Sequence, residues 1–124
     1  CQFDWGATWQ LYGPQMTPPV IRAVTGWDTD TKELLTVGAR RVNLMKVFNA
    51  REGFTREDDK LPKRLHEALQ GGLSDGIRVT EQEIEDAKDL YYRLAGWDVE
   101  TGNPTPETLA DLGIGWAAQH LEPA

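Results

Sequence analysis

Apolar positions along this chain recur at helical spacing, and no run alternates long enough to demand a sheet. From Asp30 onward, Leu34, Gly38, Met45 and Phe48, flanked by Leu35 and Val42, form an apolar stripe. Glu33, Thr36, Arg40, Asn43 and Lys46 lie toward the other side. Asp30 and Glu33 have capping-box spacing, as do Thr80 and Glu83. The second box opens a helix predicted over Glu81–Ala95, with Ile84, Ala87, Leu90, Tyr91 and Leu94 on one face. Thr17, ahead of Pro18 and Pro19, is the predicted cap of a short helix from Val20 to Thr25. Thr105 is the predicted cap of another, beginning at Pro106. Gly38 inside a helix costs about 1 kcal/mol relative to alanine and suggests close packing of another backbone.

Four helical patterns end in glycine followed by an apolar residue: Gly26-Trp27, Gly53-Phe54, Gly96-Trp97 and Gly113-Ile114. Glycine takes the left-handed conformation without steric penalty, and the next apolar side chain can fold back on the last turn. The two Gly-Trp-Asp echoes therefore read as shared stop chemistry rather than a tandem repeat, because their flanks do not match. Between the helices, residues 51–64 are a charged loop leading to a helical turn after Pro62. Residues 70–76, with their glycines, are a flexible break. The fold class predicted is all-α and multihelical, a single helical domain over residues 1–124. Its first segment, residues 1–19, is irregular and aromatic-rich, and its tail, residues 115–124, is loosely ordered.

That first segment carries two tryptophans, a phenylalanine, a tyrosine and a single charge, Asp4. Two readings stay open: it wraps the local core, or protein outside this chain covers it. The absence of an initiator methionine favours a sequence that starts partway through something longer.

Composition narrows the options. With 124 residues, 40% hydrophobic and 27% charged, the chain is long enough for a core and is not compositionally disordered. A net charge of -7 argues against nucleic acid as main partner, and no apolar run approaches a membrane span. The charge is lopsided. Residues 1–66 carry ten Lys and Arg against eight Asp and Glu, whereas residues 67–124 carry three against twelve. A single cysteine excludes an internal disulfide and fits a reducing, cytoplasmic compartment.

No catalytic residue set is visible: the chain lacks a nucleophile elbow, a phosphate-binding glycine loop and an HExxH motif. His66 and His120 stand far apart and read as surface residues. Asp58 and Asp59 have the chemistry of an acid–base pair but no evident cleft. Their loop is either a solvated run of exposed ion pairs or an arginine–carboxylate network that locks it against another domain. Cys1 on its own reads as a small buried hydrophobe. An iron–sulfur cluster needs four thiolates and this chain has one.

The ordered combination of segments nevertheless resembles a known family. AVTGWDTDTKELLTVGARRVNLMKVFNAREGFTREDDKLPKRL, residues 23–65, and DLYYRLAGWDVETGNPTPETLADLGI, residues 89–114, are similar to the C-terminal region of the aldehyde ferredoxin oxidoreductases. The opening Cys-Gln-Phe resembles the family's late cysteine. The resemblance implies a helical C-terminal portion of an enzyme that oxidises aldehydes to carboxylic acids. Tungsten held by two pterins and a 4Fe-4S cluster are its cofactors, and ferredoxin accepts the electrons. It also implies that Cys1 is the fourth cluster ligand. The three clustered cysteines and the pterin-binding domain are absent here, so the chain is expected to need the remaining domains of the enzyme, to hold no cofactor alone and to be inactive alone. Cofactor-binding residues other than Cys1 are not identified. Related tungsten enzymes that reduce aromatic coenzyme A thioesters share this region. A metal-free helical interaction module is the alternative of a different class.

Overall fold

The computed structural model describes residues 13–121. Helix α1 is Thr17–Thr25, α2 is Thr31–Arg51, α3 is Glu81–Ala95 and α4 is Pro106–Asp111. Short 3-10 segments lie at Pro14–Met16, Arg56–Asp58, Lys63–His66, Gly72–Ser74 and Gly115–His120. Among the described residues the extended structure is one isolated bridge, Trp97 to Pro104. The all-α class is thus the observed one. The chain divides into two compact units, Cys1–Val42 and Asn43–Ala124, where the sequence predicts one domain.

Within the first unit, α1 begins three residues earlier than predicted. Thr17 is its first helical residue rather than its cap, and Met16 precedes it without a side-chain capping bond. Two prolines preset helical φ in the first turn, where their missing N–H groups have no partner to lose. The part of the predicted irregular segment that is described, residues 13–19, is therefore largely helical; residues 1–12 lie outside the described residues. Gly26 ends α1 with φ 72° and donates its N–H to Arg22 O. The Asp30 carboxylate accepts from the Glu33 N–H at 2.7 Å, as the capping spacing predicts.

The second unit is built around Leu109, which has no exposed surface, with Val47, Ile114 and Ala117. Leu44, Leu112, Ala118 and Leu121 pack around this cluster. The tail predicted to be loosely ordered is part of the core as far as residue 121. Ile114, Ala117, Ala118 and Leu121 follow i, i+3, i+4, i+7 spacing, which puts one apolar edge on α4. The predicted flexible break at 70–76 is a closed turn. Leu69 N–H donates to Ile77 O, Gly76 N–H to Leu69 O and Gly71 N–H to the Asp75 carboxylate, with Gly71, Gly72 and Gly76 at positive φ.

The largest departure concerns which face of each long helix is buried. In the second unit α2 buries Asn43, Lys46, Val47 and Ala50, while Met45 and Phe48 of the predicted apolar stripe are exposed. Helix α3 buries Tyr92 and leaves Leu90, Tyr91 and Leu94 exposed. Gly38 meets nothing among the described residues that a Cβ would strike, so the predicted close backbone contact is not there.

Candidate functional site

The face that α2 turns inward is polar because it meets hydrogen-bonding aromatics. The Trp97 indole Nε1 donates to Asn43 Oδ1 at 2.9 Å, which satisfies two buried groups at once. One turn later, Lys46 Nζ pairs with Asp59 Oδ2 at 2.6 Å, and the Tyr92 hydroxyl donates to the same oxygen at 2.5 Å. The Tyr92 and Trp97 rings stack at 5.8 Å, and the Lys46 ammonium sits 5.6 Å from the Trp97 ring. Trp97 reaches this position because Gly96 ends α3 at φ 71°, and Trp97 N–H closes the turn on Tyr92 O at 2.7 Å. Gly102, also at positive φ, lets the following loop pass against the Tyr92 ring, where a Cβ would come within 3.0 Å.

A second layer of charge locks the loop. Arg56 lies on the Tyr92 ring at 5.2 Å and donates to Val99 O at 2.6 Å. Its guanidinium pairs with Glu85 at 2.7 Å and Asp89 at 2.8 Å on α3. Lys88 reaches Glu85 from the other side at 2.6 Å. Of the two readings left open for residues 51–64, a paired network is observed, but it closes on α3 of this chain rather than on another domain. The turn that carries it is set by a capping box, Thr55 with Asp58, which sequence reading missed.

Electrostatics follow from this geometry. Partial burial pushes the Asp59 carboxyl up, but its bonds from Lys46 and Tyr92 outweigh that and hold it below the usual carboxylate range. Burial, then the bond to anionic Asp59, pushes the Tyr92 phenol far above its ordinary value, so it is a hydrogen-bond donor and not a phenolate. Glu85 is held low by Lys88 and Arg56, and Arg56 is raised mainly by Glu85. The cluster is thus an ionised, fully engaged brace.

Asp58 and Asp59 have structural partners: Asp58 bonds the Thr55 N–H at 2.9 Å as a cap, and Asp59 is committed to Lys46 and Tyr92. His66 Nδ1 lies 2.8 Å from Val79 O and joins the two ends of the 66–79 loop. His120 stacks edge-on to Trp116 at 6.5 Å. Cys1 lies outside the described residues. Among the described residues no group of three His, Cys, Asp or Glu could hold a metal, and no helix is long and apolar enough to cross a membrane. Asn43, Lys46, Tyr92 and Trp97 were missed as a site. A signal for them existed: Asn43, Lys46, Val47 and Ala50 share one helical face by spacing, and a tryptophan that is buried needs an acceptor for its indole N–H.

Beside the brace, α3 and the 59–61 segment bound an open groove of about 450 Å³ lined by Leu61, Ile84, Ala87 and Tyr91, with Lys60 and Lys88 among its polar residues.

The fold and this brace define an all-α helical protein in which Asn43, Lys46, Arg56, Asp59, Tyr92 and Trp97 hold neighbouring elements together. Its relatives say which family. Residues 1–114 match the family described as "Aldehyde ferredoxin oxidoreductase, domains 2 & 3". The tungsten-containing aldehyde ferredoxin oxidoreductase of Pyrococcus furiosus is 37% identical over 97 residues, and that of Thermococcus kodakarensis is 35% identical over 97. Each alignment covers 77% of this chain and 15% of the relative. A solved structure, the active site complex BamBC of benzoyl coenzyme A reductase with 1,5-dienoyl-CoA, superposes with a TM-score of 0.69 at 30% identity. That superposition covers 87% of this chain and 15% of the other. The chain belongs to the aldehyde ferredoxin oxidoreductase family.

Proposed function

We propose that this chain is the C-terminal helical portion of a tungsten-pterin, iron–sulfur aldehyde:ferredoxin oxidoreductase. In that enzyme an aldehyde and water give a carboxylic acid, and the electrons pass to ferredoxin. The observation that carries the reading is the family match over residues 1–114, joined by relatives whose names specify tungsten and aldehyde. The aligned region spans about 15% of the length of those relatives, and in this reading the chain works with the remaining domains of the enzyme and is inactive by itself.

The described residues do not fit the cofactors on their own, because they offer no convergent set of metal-binding side chains. The contribution proposed for this chain is Cys1, as one thiolate of the 4Fe-4S cluster whose other three ligands come from the rest of the enzyme. The enzyme is taken to be cytoplasmic, where a lone thiol stays reduced.

The test is metal and activity analysis of the purified enzyme that carries this chain. Tungsten, about four irons per cluster and aldehyde-dependent reduction of a ferredoxin or viologen dye are expected. Cys1→Ser should lower iron content and the cluster's electron paramagnetic resonance signal while leaving the helical circular dichroism unchanged. Protein without tungsten or aldehyde oxidation would overturn the reading. A second reading, reduction of an aromatic coenzyme A thioester, is favoured by the benzoyl coenzyme A reductase superposition. Reduction of an aromatic coenzyme A thioester to its dienoyl-CoA, or the reverse oxidation, in place of aldehyde oxidation would select it.

A further inference from the structure

Helix α3 carries an apolar stripe that the described residues leave uncovered. Ile84, Ala87, Tyr91 and Leu94 follow i, i+3, i+7, i+10 spacing, yet Leu94 is 80% exposed and Tyr91 is also exposed. An amphipathic helix turned this way forfeits the burial that ordinarily stabilises it, which marks a surface built to meet another element. Ile84, Ala87 and Tyr91 of the stripe line the 450 Å³ groove together with Leu61, and Leu94 continues the stripe beyond the groove's lining. The groove's charges are unevenly balanced. Lys46 is neutralised by Asp59 and Lys88 by Glu85, whereas Lys60 makes no ion pair among the described residues.

We propose that this groove seats a segment of the same enzyme's polypeptide lying outside this chain. That segment lays an apolar ridge along Tyr91 and Leu94 and sets a carboxylate opposite Lys60. The inference rests on the proposed function. The occupant is argued from two facts: the relatives are more than six times longer than the aligned region, so the bulk of the enzyme is available to fill the groove, and Lys60 is a cation left over where a carboxylate would complete the pairing.

Hydroxyl-radical footprinting, resolved by residue, tests it in the intact enzyme and in the 124-residue chain. Tyr91 and Leu94 should be oxidised many-fold more slowly in the intact enzyme, while Leu73, fully exposed at the 69–77 loop tip, reacts equally in both. Lys60→Glu in the intact enzyme should raise oxidation of Tyr91 and Leu94 several-fold, with helical circular dichroism unchanged. Equal oxidation of Leu94 and Leu73 in the intact enzyme would overturn the proposal. So would protection that appears in the 124-residue chain with rising concentration, since the occupant would then be a second copy. Tungsten is measured on the same sample. Metal without protection defeats the groove and spares the functional reading, and protection without metal does the reverse.

Discussion

Two stops made of the same chemistry end differently. Gly26-Trp27 and Gly96-Trp97 both place glycine at φ near 71°, and both are followed by tryptophan and aspartate. Trp97 is 9% exposed and bonded to Asn43, whereas Trp27 is 42% exposed. The pair Gly53-Phe54 and Gly113-Ile114 divides the same way, with Phe54 54% exposed and Ile114 7% exposed. Three of the four glycines make the paired bonds of a Schellman turn; Gly26 makes the single bond back to Arg22. Local chemistry therefore ends the helix in every case, but whether the next side chain folds back depends on what stands ready to receive it. Around Trp97 that is Asn43, Tyr92 and Lys46; around Ile114 it is Leu109 and Ala117.

Substitution of the two tryptophans separates the cases most sharply. Trp97→Ala removes a buried ring and the indole donor to Asn43 Oδ1, and should cost about 3–5 kcal/mol in urea unfolding. Trp27→Ala should stay within about 0.5 kcal/mol. Comparable losses at both positions would show that Trp27 is received by something in solution, and the contrast would fail.

The glycines come next. Gly26→Ala meets open space and should cost the left-handed conformation alone, about 1–2 kcal/mol. At Gly96 a Cβ would fall 2.2 Å from Thr108 Oγ1, whose hydroxyl donates to Gly96 O. Gly96→Ala should therefore cost about 1–3 kcal/mol more than Gly26→Ala, readable as a lower unfolding midpoint at unchanged slope.

Which face is buried was the least legible feature. The stripe Leu34, Met45, Phe48 and the stripe Ile84, Tyr91, Leu94 are sound amphipathic patterns, and helices stand under both. A pattern reports that a helix has an apolar side, not that this chain supplies the covering. Asn43 and Lys46 face inward because Trp97 and Tyr92 carry polar atoms that need partners, and those rings arrive from about 50 residues away in sequence. Caps and stops, which depend on neighbours within four residues, were legible at Asp30, Thr80, Thr105 and all four glycines. Thr55 escaped because its partner is Asp58 rather than the usual Glu or Gln.

The brace itself gives a third, smaller effect. Lys46 is buried and Asp59 half-exposed, so Lys46→Met should cost about 1–3 kcal/mol, between the values for exposed and buried pairs. The pH dependence has a definite sign. Asp59 is held below its unfolded value of about 4, so its contribution is present above that pH and is lost as pH falls through the folded value. Asp59→Asn should lower stability at neutral pH and flatten the acid limb of a stability–pH curve. An unchanged acid limb would mean that the Lys46–Asp59 pair is not maintained in solution.

The smallest effect is the most discriminating for sequence reading, because Thr17-Pro18 and Thr105-Pro106 look alike. Both place a good capping residue before a proline, and both precede a short helix. Thr105 has extended backbone and its hydroxyl accepts from the Thr108 N–H at 3.2 Å. Thr17 lies inside α1, and no side chain caps that helix at Met16. Thr105→Ala should therefore cost about 1 kcal/mol, and Thr17→Ala only a few tenths. The physical difference is the second proline. Pro19 extends the preset helical φ, while the 3-10 turn at Pro14–Met16 brings the chain into α1 already curled, so Thr17 never takes the extended conformation that a capping hydroxyl requires. Pro19→Ala is the decisive companion variant: if Thr17→Ala becomes costly in its presence, the second proline is what displaced the cap.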